Sequence, residues 1–435
     1  MTTSEERLPR EEQARREVGH TDVTPVVARA LVVCFLLLVA ALPAVEWAGL
    51  RGSTEPGPWS LLVQETVEPQ GAVPGGSWAR LVQANRAALA RTAAFETALE
   101  DQSPVGQRLR PPVQAVLSGW LGAGNERVYV GRDGWLFYRP DVEALTGRGF
   151  LDPAQLARRA AAAREFEVAP VPDPRPAIRR FAADLAARGI TLILMPTPVK
   201  PSVHPGALAS MSARPSAPIQ NASYEAFIEE LRGDGLVVFD PAPSLALAAA
   251  AGVPQYLAAD THWRPEVVAR EAAALAAFIR AHVELAPVPA SGYATQPREA
   301  RHTGDTASML DLPDGQSLYP PETVALRFVT GADGDPWRPS RDADVLVLGD
   351  SFSNIYSLAG MGWGEASGFV EHLSLALDRP VDRLVQNDQG ARATRDLLAR
   401  ELRLDPGRLA STRVVVWQFA TRELSFGDWA VVPLP

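Results

Sequence analysis

The stretch VLVLGDSFSN at residues 345–354 decides the fold class. Residues 345–348 are all aliphatic, and the chain then turns at Gly349-Asp350-Ser351. A strand without polar alternation is typical of a parallel sheet that is covered by helices on both faces. Functional groups in such sheets lie beyond the carboxyl ends of the strands. Ser351 is therefore either a nucleophile at a sheet edge or an ordinary serine that ends a strand.

Helices and strands are predicted to alternate on both sides of this stretch. The predicted strands cover residues 190–198, 236–241, 344–349, 383–387 and 413–419, and the predicted helices cover 176–188, 222–232, 265–282, 367–377 and 391–402. This order predicts an α/β fold with a doubly wound, mostly parallel sheet. Upstream, β-forming residues flank Arg132-Asp133-Gly134, which predicts a tight hairpin. The Pro- and Gly-rich residues 290–340 predict an excursion from the sheet.

The N-terminal part of the chain contains an apolar segment of about the length that spans a bilayer, roughly 20 residues. Arg7, Arg10, Arg15, Arg16 and Arg29 lie before or within this segment. The positive-inside rule then predicts a single-pass anchor with its N-terminus in the cytoplasm. A cleaved signal peptide and a buried helix are the alternatives. The predicted organisation is a cytoplasmic tail at 1–25, a transmembrane anchor at 26–48, a linker with juxtadomain helices at 49–124, and the α/β domain at 125–435.

Composition excludes several function classes. The net charge is −9, from 42 Lys+Arg against 51 Asp+Glu, and this argues against nucleic acid as a partner because phosphate binding needs a basic face. Cys34 is the single cysteine, so the chain cannot form an internal disulfide or a cysteine-based metal site. The six histidines show no paired metal-ligand spacing such as HExxH. We therefore predict no metal and no cofactor.

A serine nucleophile needs a base, and His262 has the most suitable context among the six histidines. It lies in AADTHWRPE, two residues after Asp260 and just before the predicted helix 265–282. An aspartate at that spacing can reach the imidazole, fix its tautomer and stabilise the imidazolium. The alternative is that Asp260 or Thr261 caps the following helix and that Gly-Asp-Ser occurs by chance. The residues alone leave both interpretations open.

Taken together, GDSFS (349–353) and DTHW (260–263) resemble the motifs of SGNH-hydrolase-like proteins of the alginate O-acetylation type. In that group the Asp-x-His motif precedes the Gly-Asp-Ser motif, as it does here. Four further stretches fit the same resemblance, which runs from about residue 95 to the end: VGRDGWLFY (130–138), MPTPVKPSVHP (195–205), TGDTASML (303–310) and VVVWQFATREL (414–424).

The resemblance implies a membrane-anchored, extracytoplasmic O-acetyltransferase that moves acetyl groups onto polysaccharide hydroxyls through an acetyl-serine intermediate. It implies Ser351 as the nucleophile, His262 as the base and Asp260 as the orienting acid. The implied partners are the membrane, a polysaccharide acceptor and a multi-pass membrane acyltransferase that supplies acetyl groups. A carbohydrate acetyl esterase and a non-catalytic polysaccharide-binding or assembly protein are the alternatives.

Acyl transfer also needs donors for the oxyanion. The candidates are the N–H group of Ser351, Gly390, and the side chains of Asn387 and Gln418. The candidates for substrate binding are Arg422, Lys200 and Trp263. Each of these three has a structural alternative: pairing with Glu423 for Arg422, a surface position for Lys200 and packing under its loop for Trp263. Asp350 is predicted to shape the turn.

Overall fold

The computed structural model describes residues 24–50, 77–162, 169–211, 215–387 and 390–435. The strands in these ranges are β1 (Val128–Val130), β2 (Leu136–Tyr138), β3 (Thr191–Thr197), β4 (Val237–Val238), β5 (Ala294–His302), β6 (Glu322–Thr330), β7 (Val345–Gly349), β8 (Asp382–Val385) and β9 (Val414–Ala420). The central sheet has the strand order β4-β3-β9-β7-β8, and every pairing in it is parallel. The predicted α/β fold with a mostly parallel sheet is confirmed.

The helices of the described ranges connect and cover these strands. They are α1 (Pro25–Leu50), α2 (Ser77–Gln102), α3 (Pro104–Leu121), α4 (Arg139–Thr146), α5 (Pro153–Ala160), α6 (Pro174–Ala186), α7 (Lys200–Val203), α8 (Pro205–Leu208), α9 (Tyr224–Gly233), α10 (Ala242–Ala250), α11 (Pro265–His282), α12 (Asp305–Met309), α13 (Ser351–Asn354), α14 (Phe369–Leu377), α15 (Gly390–Leu404) and α16 (Arg422–Phe426), with a short 3₁₀ turn at Ala359–Met361.

Alternate residues of the central strands point into two separate cores. In β7, Val345 and Val347 pack on one face with residues of α10, α11 and α14. Leu346 and Leu348 pack on the other face with residues of α6, α9 and α15. Because side chains alternate across a strand, a strand buried on both faces must be apolar at every position. This explains the uninterrupted aliphatic run that begins VLVLGDSFSN.

Two elements differ from their predicted form. β4 covers Val237–Val238 instead of 236–241, because Asp240 Oδ1 accepts a hydrogen bond from the backbone of Ala242 and turns the chain into α10. The predicted excursion contains an antiparallel pair, β5 and β6, outside the central sheet. β5 is exposed along most of its length, so its sequence carries no apolar alternation that would mark it as a strand.

The N-terminal part of the chain forms a unit of its own. Contacts divide the chain into Met1–Pro111 and Pro112–Pro435, and the predicted boundary between 49–124 and 125–435 stays a prediction. Most of the predicted tail at 1–25 and residues 51–76 of the predicted linker lie outside the described residues. In the ranges given above, none of the helices is both long enough and apolar enough to cross a membrane. The anchor predicted at 26–48 is thus unconfirmed.

Candidate active site

Ser351 lies directly beyond the carboxyl end of β7, where it begins α13. Asp350 caps this helix, since its Oδ1 accepts a hydrogen bond of 2.9 Å from the N–H of Phe352. The other oxygen of Asp350 accepts a bond of 2.7 Å from the N–H of Ala420 on β9. The turn is therefore tied both to its own helix and to the neighbouring strand, as the turn-shaping role predicted for Asp350 requires. The Ser351 side chain is left at the sheet edge, where the residue is 7% exposed.

The structure brings together the three residues that the sequence predicts as nucleophile, base and orienting acid. His262 Nε2 lies 2.8 Å from Ser351 Oγ, and His262 Nδ1 lies 2.7 Å from Asp260 Oδ1. The same Asp260 oxygen accepts a bond of 3.0 Å from the backbone N–H of His262. This local turn explains how an aspartate two residues upstream reaches the imidazole. The geometry permits proton transfer from Ser351 to His262.

Hydrogen bonds to Asp260 set the electrostatics of this group. Burial opposes ionisation of Asp260, but hydrogen bonds from His262, from Trp363 Nε1 at 2.9 Å and from Asp305 N at 3.0 Å lower the pKa of Asp260 to about 2. Burial also opposes the imidazolium, yet the hydrogen bond and charge of Asp260, together with the charge of Asp305, raise the pKa of His262. Asp260 is thus negative at neutral pH and stabilises a proton on His262.

A cavity of about 490 Å³ opens beside His262. Its lining includes Asp260, Asp305, His302, Arg127 and Met361. Small-molecule sites in proteins have volumes of roughly 300 to 1,000 Å³, so this cavity has room for an acyl group and part of a sugar. A reactant in the cavity would lie next to His262, the predicted base.

The comparison with protein families decides the identity of this domain. Residues 128–421 match the family described as the SGNH hydrolase-like domain of acetyltransferase AlgX. The chain belongs to this family. The resemblance drawn from the sequence motifs is therefore confirmed, and membership of the family supports an acyltransferase activity.

The chain is also similar to proteins of known name. The chain is 24% identical over 346 residues to the probable alginate O-acetylase AlgJ of Pseudomonas fluorescens, a match that covers 77% of each chain. The structure resembles the O-acetyltransferase domain of Pseudomonas putida AlgJ with a TM-score of 0.50 and 21% identity, covering 69% of this chain and 93% of that domain. Pseudomonas aeruginosa AlgX gives a TM-score of 0.46 at 16% identity, over 68% and 65% of the two chains.

The candidate oxyanion donors are not equivalent in this family domain. Gln418 is buried, and its Nε2 donates to Thr197 Oγ1 at 3.0 Å and to Asp350 Oδ1 at 2.8 Å. An amide nitrogen has two hydrogens, so both are engaged and the prediction for Gln418 is corrected: this residue holds the turn. Asn387 Oδ1 accepts a bond of 2.8 Å from Asn354 at the end of α13, and Gly390 begins α15. Their roles stay predictions.

Lys200 is not a surface lysine, and its amine is engaged by groups of the protein itself. Its side chain is fully buried, and Nζ donates to the carbonyl oxygens of Leu136, Ala258 and Asp260 at 2.6, 2.7 and 3.0 Å. These three bonds use all the hydrogens of a protonated amine. Lys200 therefore joins the β2 strand to the loop that carries Asp260, and it supports the site from beneath.

The other two substrate-binding candidates also take part in structural contacts. Trp263 is buried, and its Nε1 donates to the hydroxyl of Tyr256 at 2.9 Å, so the packing alternative describes it correctly. Arg422 forms a salt bridge of 3.1 Å with the fully buried Asp141, whereas the sequence suggested pairing with Glu423. Arg422 still belongs to the surroundings of the site, because its positive charge partly offsets the rise in the pKa of His262.

Two residues that contact Asp260 were not predicted. Asp305 lies in the TGDTASML stretch that carries the family resemblance, so the sequence held a signal for it, but Trp363 had no comparable signal. The donor atoms of Asp260, His262 and Asp305 lie within 4.8 Å of one another, close enough to be considered as metal ligands. Asp260 and His262 Nδ1 are engaged with each other, however, and Asp260 accepts further bonds on its second oxygen. The arrangement fits a proton relay better than a set of free ligands.

Proposed function

We propose that this chain transfers acetyl groups onto the hydroxyl groups of a polysaccharide through an acetyl-Ser351 intermediate. The observation that carries the proposal is the relay in which Ser351 Oγ, His262 and Asp260 are joined by contacts of 2.8 and 2.7 Å. The acetyltransferase family of the chain supports acetyl as the transferred group. The alginate O-acetylase name of its relative supports a uronate polysaccharide as the acceptor.

The first half-reaction loads the serine. His262 Nε2 removes the proton from Ser351 Oγ as Oγ bonds to the carbonyl carbon of the acetyl donor. The tetrahedral oxyanion is bound by the N–H of Ser351, since the first N–H groups of a helix have no acceptor within the helix. The bond between the acetyl carbon and the donor oxygen then breaks, and the proton on His262 passes to that oxygen. Asp260 stays negative and stabilises the intermediate imidazolium.

The second half-reaction unloads the serine onto the acceptor. A sugar hydroxyl enters the cavity beside His262, and Nε2 removes its proton as its oxygen bonds to the acetyl carbon. The bond to Ser351 Oγ breaks, and Oγ recovers the proton from His262. Water in place of the sugar would release acetate, so exclusion of water from the acetyl-enzyme separates a transferase from an esterase.

The source of the acetyl groups and the location of the catalytic domain are also part of the proposal. The apolar segment at 26–48 and the arginines around it support an anchored chain whose catalytic domain lies outside the cytoplasm. Acetyl groups activated in the cytoplasm must then cross the membrane before they reach Ser351. We therefore propose a multi-pass membrane acyltransferase as the source of the acetyl donor.

Ester cleavage by the purified chain tests the relay. Ser351→Ala and His262→Ala should each lower kcat on a chromogenic acetyl ester by about 10³-fold or more, because a unit that acts in concert fails when one member is lost. Ser216→Ala and His282→Ala change the same residue types at exposed positions and should keep wild-type rates. Wild-type activity in the Ser351 or His262 variant would refute the acetyl-serine mechanism.

Acceptor assays separate transfer from its alternatives. The wild-type chain is incubated with the acetyl ester and either an alginate oligosaccharide or a neutral oligosaccharide, and the products are weighed by mass spectrometry. An oligosaccharide that gains acetyl groups only when Ser351 is intact supports transfer. Free acetate without acetylated sugar indicates an esterase, and sugar binding without any ester cleavage indicates a binding protein.

A further inference from the structure

A second carboxylate, that of Asp305, lies on the same side of the His262 ring as Asp260. Asp305 is the first residue of α12 and follows Gly304, whose φ of 93° lies in the left-handed region that favours glycine. A Cβ on Gly304 would lie 2.1 Å from the carbonyl oxygen of Ala259. The loop before α12 thus packs directly against the loop that carries Asp260 and His262, and only glycine permits this approach.

Three hydrogen bonds join Asp305 to the loop that contains Asp260, Thr261 and His262, which we call the base loop. Its Oδ1 accepts a bond of 2.8 Å from the N–H of Thr261, and its Oδ2 accepts the hydroxyl proton of Thr261. In return, the N–H of Asp305 donates to Asp260 Oδ2 at 3.0 Å. The two carboxylates and the threonine between them therefore form one bonded unit next to the imidazole.

The hydroxyl of Thr261 transmits this arrangement to the ring. Thr261 Oγ1 lies 3.1 Å from His262 Nδ1. A hydroxyl has one proton, and Thr261 gives its proton to Asp305, so only its lone pairs face Nδ1. Nδ1 must then carry the hydrogen, which it donates to Asp260. The tautomer with a free lone pair on Nε2, the one that can accept a proton from Ser351, is the tautomer that this arrangement selects.

We propose that Asp305 is a positioning residue for His262: it fixes the active tautomer through the Thr261 hydroxyl, and it places a second carboxylate beside the imidazole. The inference deepens the proposed function, on which its kinetic part rests. Asp260 alone would accept a hydrogen from Nδ1, but it offers no control over the orientation of the threonine hydroxyl. Asp305 supplies that control and adds a second negative charge, with Oδ2 3.6 Å from Nδ1.

The charge of Asp305 makes the base sensitive to pH. Its side chain is 28% exposed, and partial burial together with the charge of Asp260 raises the pKa of Asp305 to about 6. As the pH falls through that value, Asp305 becomes neutral and the imidazolium loses one of its two stabilising charges. The charged and titratable groups that act on this pair are Asp260, Asp141, Lys200, Tyr138 and Arg422. Arg127 and His302 line the same cavity.

Asp305→Asn tests both parts of the proposal in the full chain. The amide group would present hydrogens to Thr261 Oγ1, so the threonine hydroxyl can turn its proton towards Nδ1. Nitrogen-15 NMR of labelled histidine should then show His262 protonated at Nε2 in part of the population, where the wild type is protonated at Nδ1. With a chromogenic acetyl ester, kcat should fall roughly 10- to 100-fold with little change in KM, and the acid limb of the pH profile should move to lower pH.

A second substitution separates the tautomer from the charge. Thr261→Val removes the hydroxyl; added to Asp305→Asn, it should restore Nδ1–H in the NMR spectrum while the acid limb stays displaced. Thr261→Val alone should leave the acid limb in place, because Asp305 keeps its charge. Asp311→Asn, the same change at an exposed site six residues away, should match the wild type in both measurements.

A purely structural role for Asp305 would give different results. If Asp305→Asn lowers kcat but keeps both Nδ1–H and the acid limb of the wild type, the proposal is overturned. If Asp305→Asn does not fold, Thr261→Val alone still tests the proposal. A displaced acid limb in Thr261→Val would overturn the proposal, because the Thr261 hydroxyl and not the charge of Asp305 would then determine the pH at which activity is lost. Failure of the proposed function and failure of the role of Asp305 have different readouts. Full activity in Ser351→Ala would show that the reaction is wrongly assigned. The NMR measurement reports the tautomer of His262 without any need for activity, so it tests the role of Asp305 in either case.

Discussion

A lysine without exposed surface lies beneath the loop that carries Asp260. The bonds from Lys200 Nζ to the carbonyl oxygens of Leu136, Ala258 and Asp260 suit a protonated amine, because each hydrogen has an acceptor. Burial nevertheless disfavours the charge and lowers the pKa of Lys200 from 10.5 to about 7. Lys200 thus holds the base loop in place through its hydrogen bonds. Its positive charge is buried, however, and this burial lowers the stability of the folded chain at low pH.

Replacement of Lys200 by methionine should reveal how the buried charge of Lys200 affects the free energy of unfolding. Between pH 7 and pH 10.5 the unfolded chain binds more protons at Lys200 than the folded chain does, so the contribution of this residue to folding free energy becomes more favourable as the pH rises. The free energy of unfolding of the wild type, relative to Lys200→Met, should therefore increase by up to about 1.4 kcal/mol per pH unit in that window. Urea denaturation of both proteins at pH 7 and pH 9 measures it; a difference that does not change with pH would contradict the lowered pKa.

The residues that the sequence revealed are those whose contacts are local. Asp260 reaches His262 through a turn of two residues, and Asp350 caps the helix that Ser351 begins, so short motifs contain the necessary information. The roles of Lys200 and Gln418 depend on partners that are 58 to 221 residues away along the chain. Such contacts follow from how strands and loops pack, and no local pattern around either residue indicates them.

At the scale of elements, the connection from β7 to α13 depends on close packing against β9. A Cβ at Gly349 would lie 2.4 Å from Ser353 Oγ and 3.1 Å from Gln418 Oε1. Both atoms are buried, and Ser353 Oγ donates a hydrogen bond of 2.8 Å to Gln418 Oε1, so a shift of either atom would break this bond. Gly349 is thus required by space at the point where the strand ends.

Gly349→Ala should therefore displace the turn that presents Ser351. We expect a loss of about 1 to 3 kcal/mol in the free energy of unfolding, as for other overpacked cores, and a fall in kcat on an acetyl ester because Ser351 Oγ moves away from His262 Nε2. Gly233→Ala is the matched control, since a Cβ there meets open space at the end of a helix. Chemical denaturation and steady-state kinetics give the two readouts; equal behaviour of the two variants would show that the turn tolerates the added methyl group.

The elements that the sequence predicted well are those buried on one or both sides. The helix over 265–282 and the strand over 344–349 match the observed α11 and β7 closely, because burial imposes an apolar pattern on their sequences. The β5–β6 pair escaped prediction, since its first strand faces solvent and is held by backbone hydrogen bonds that any side chains permit. β5 nevertheless ends three residues before Asp305, so the pair is connected to the site.

At the scale of the whole molecule, the proposed reaction requires the nucleophile and the acceptor polysaccharide to be on the same side of the membrane. Only the arginine-flanked apolar segment at 26–48 supports a location outside the cytoplasm. If that segment anchors the chain as proposed, protease added to intact cells should degrade the part of the chain that contains Ser351. A cytoplasmic reporter in the same cells should stay intact, which shows that the protease has not entered. If the chain is degraded only after the cells are opened, its catalytic domain lies in the cytoplasm and the proposed location is wrong.

A charge-reversal variant adds a readout, acetylation in cells, that does not depend on protease access. Replacing Arg7, Arg10, Arg15 and Arg16 with glutamate removes most of the positive charge that precedes the apolar segment. Because positive flanking charge determines orientation, the variant should lose protection of its N-terminus and exposure of its catalytic domain in a measurable fraction of molecules. Acetylation of the polysaccharide in cells should fall by the same fraction, while ester cleavage by the purified variant stays at the wild-type rate. Unchanged acetylation in cells would mean that these arginines do not determine where Ser351 acts.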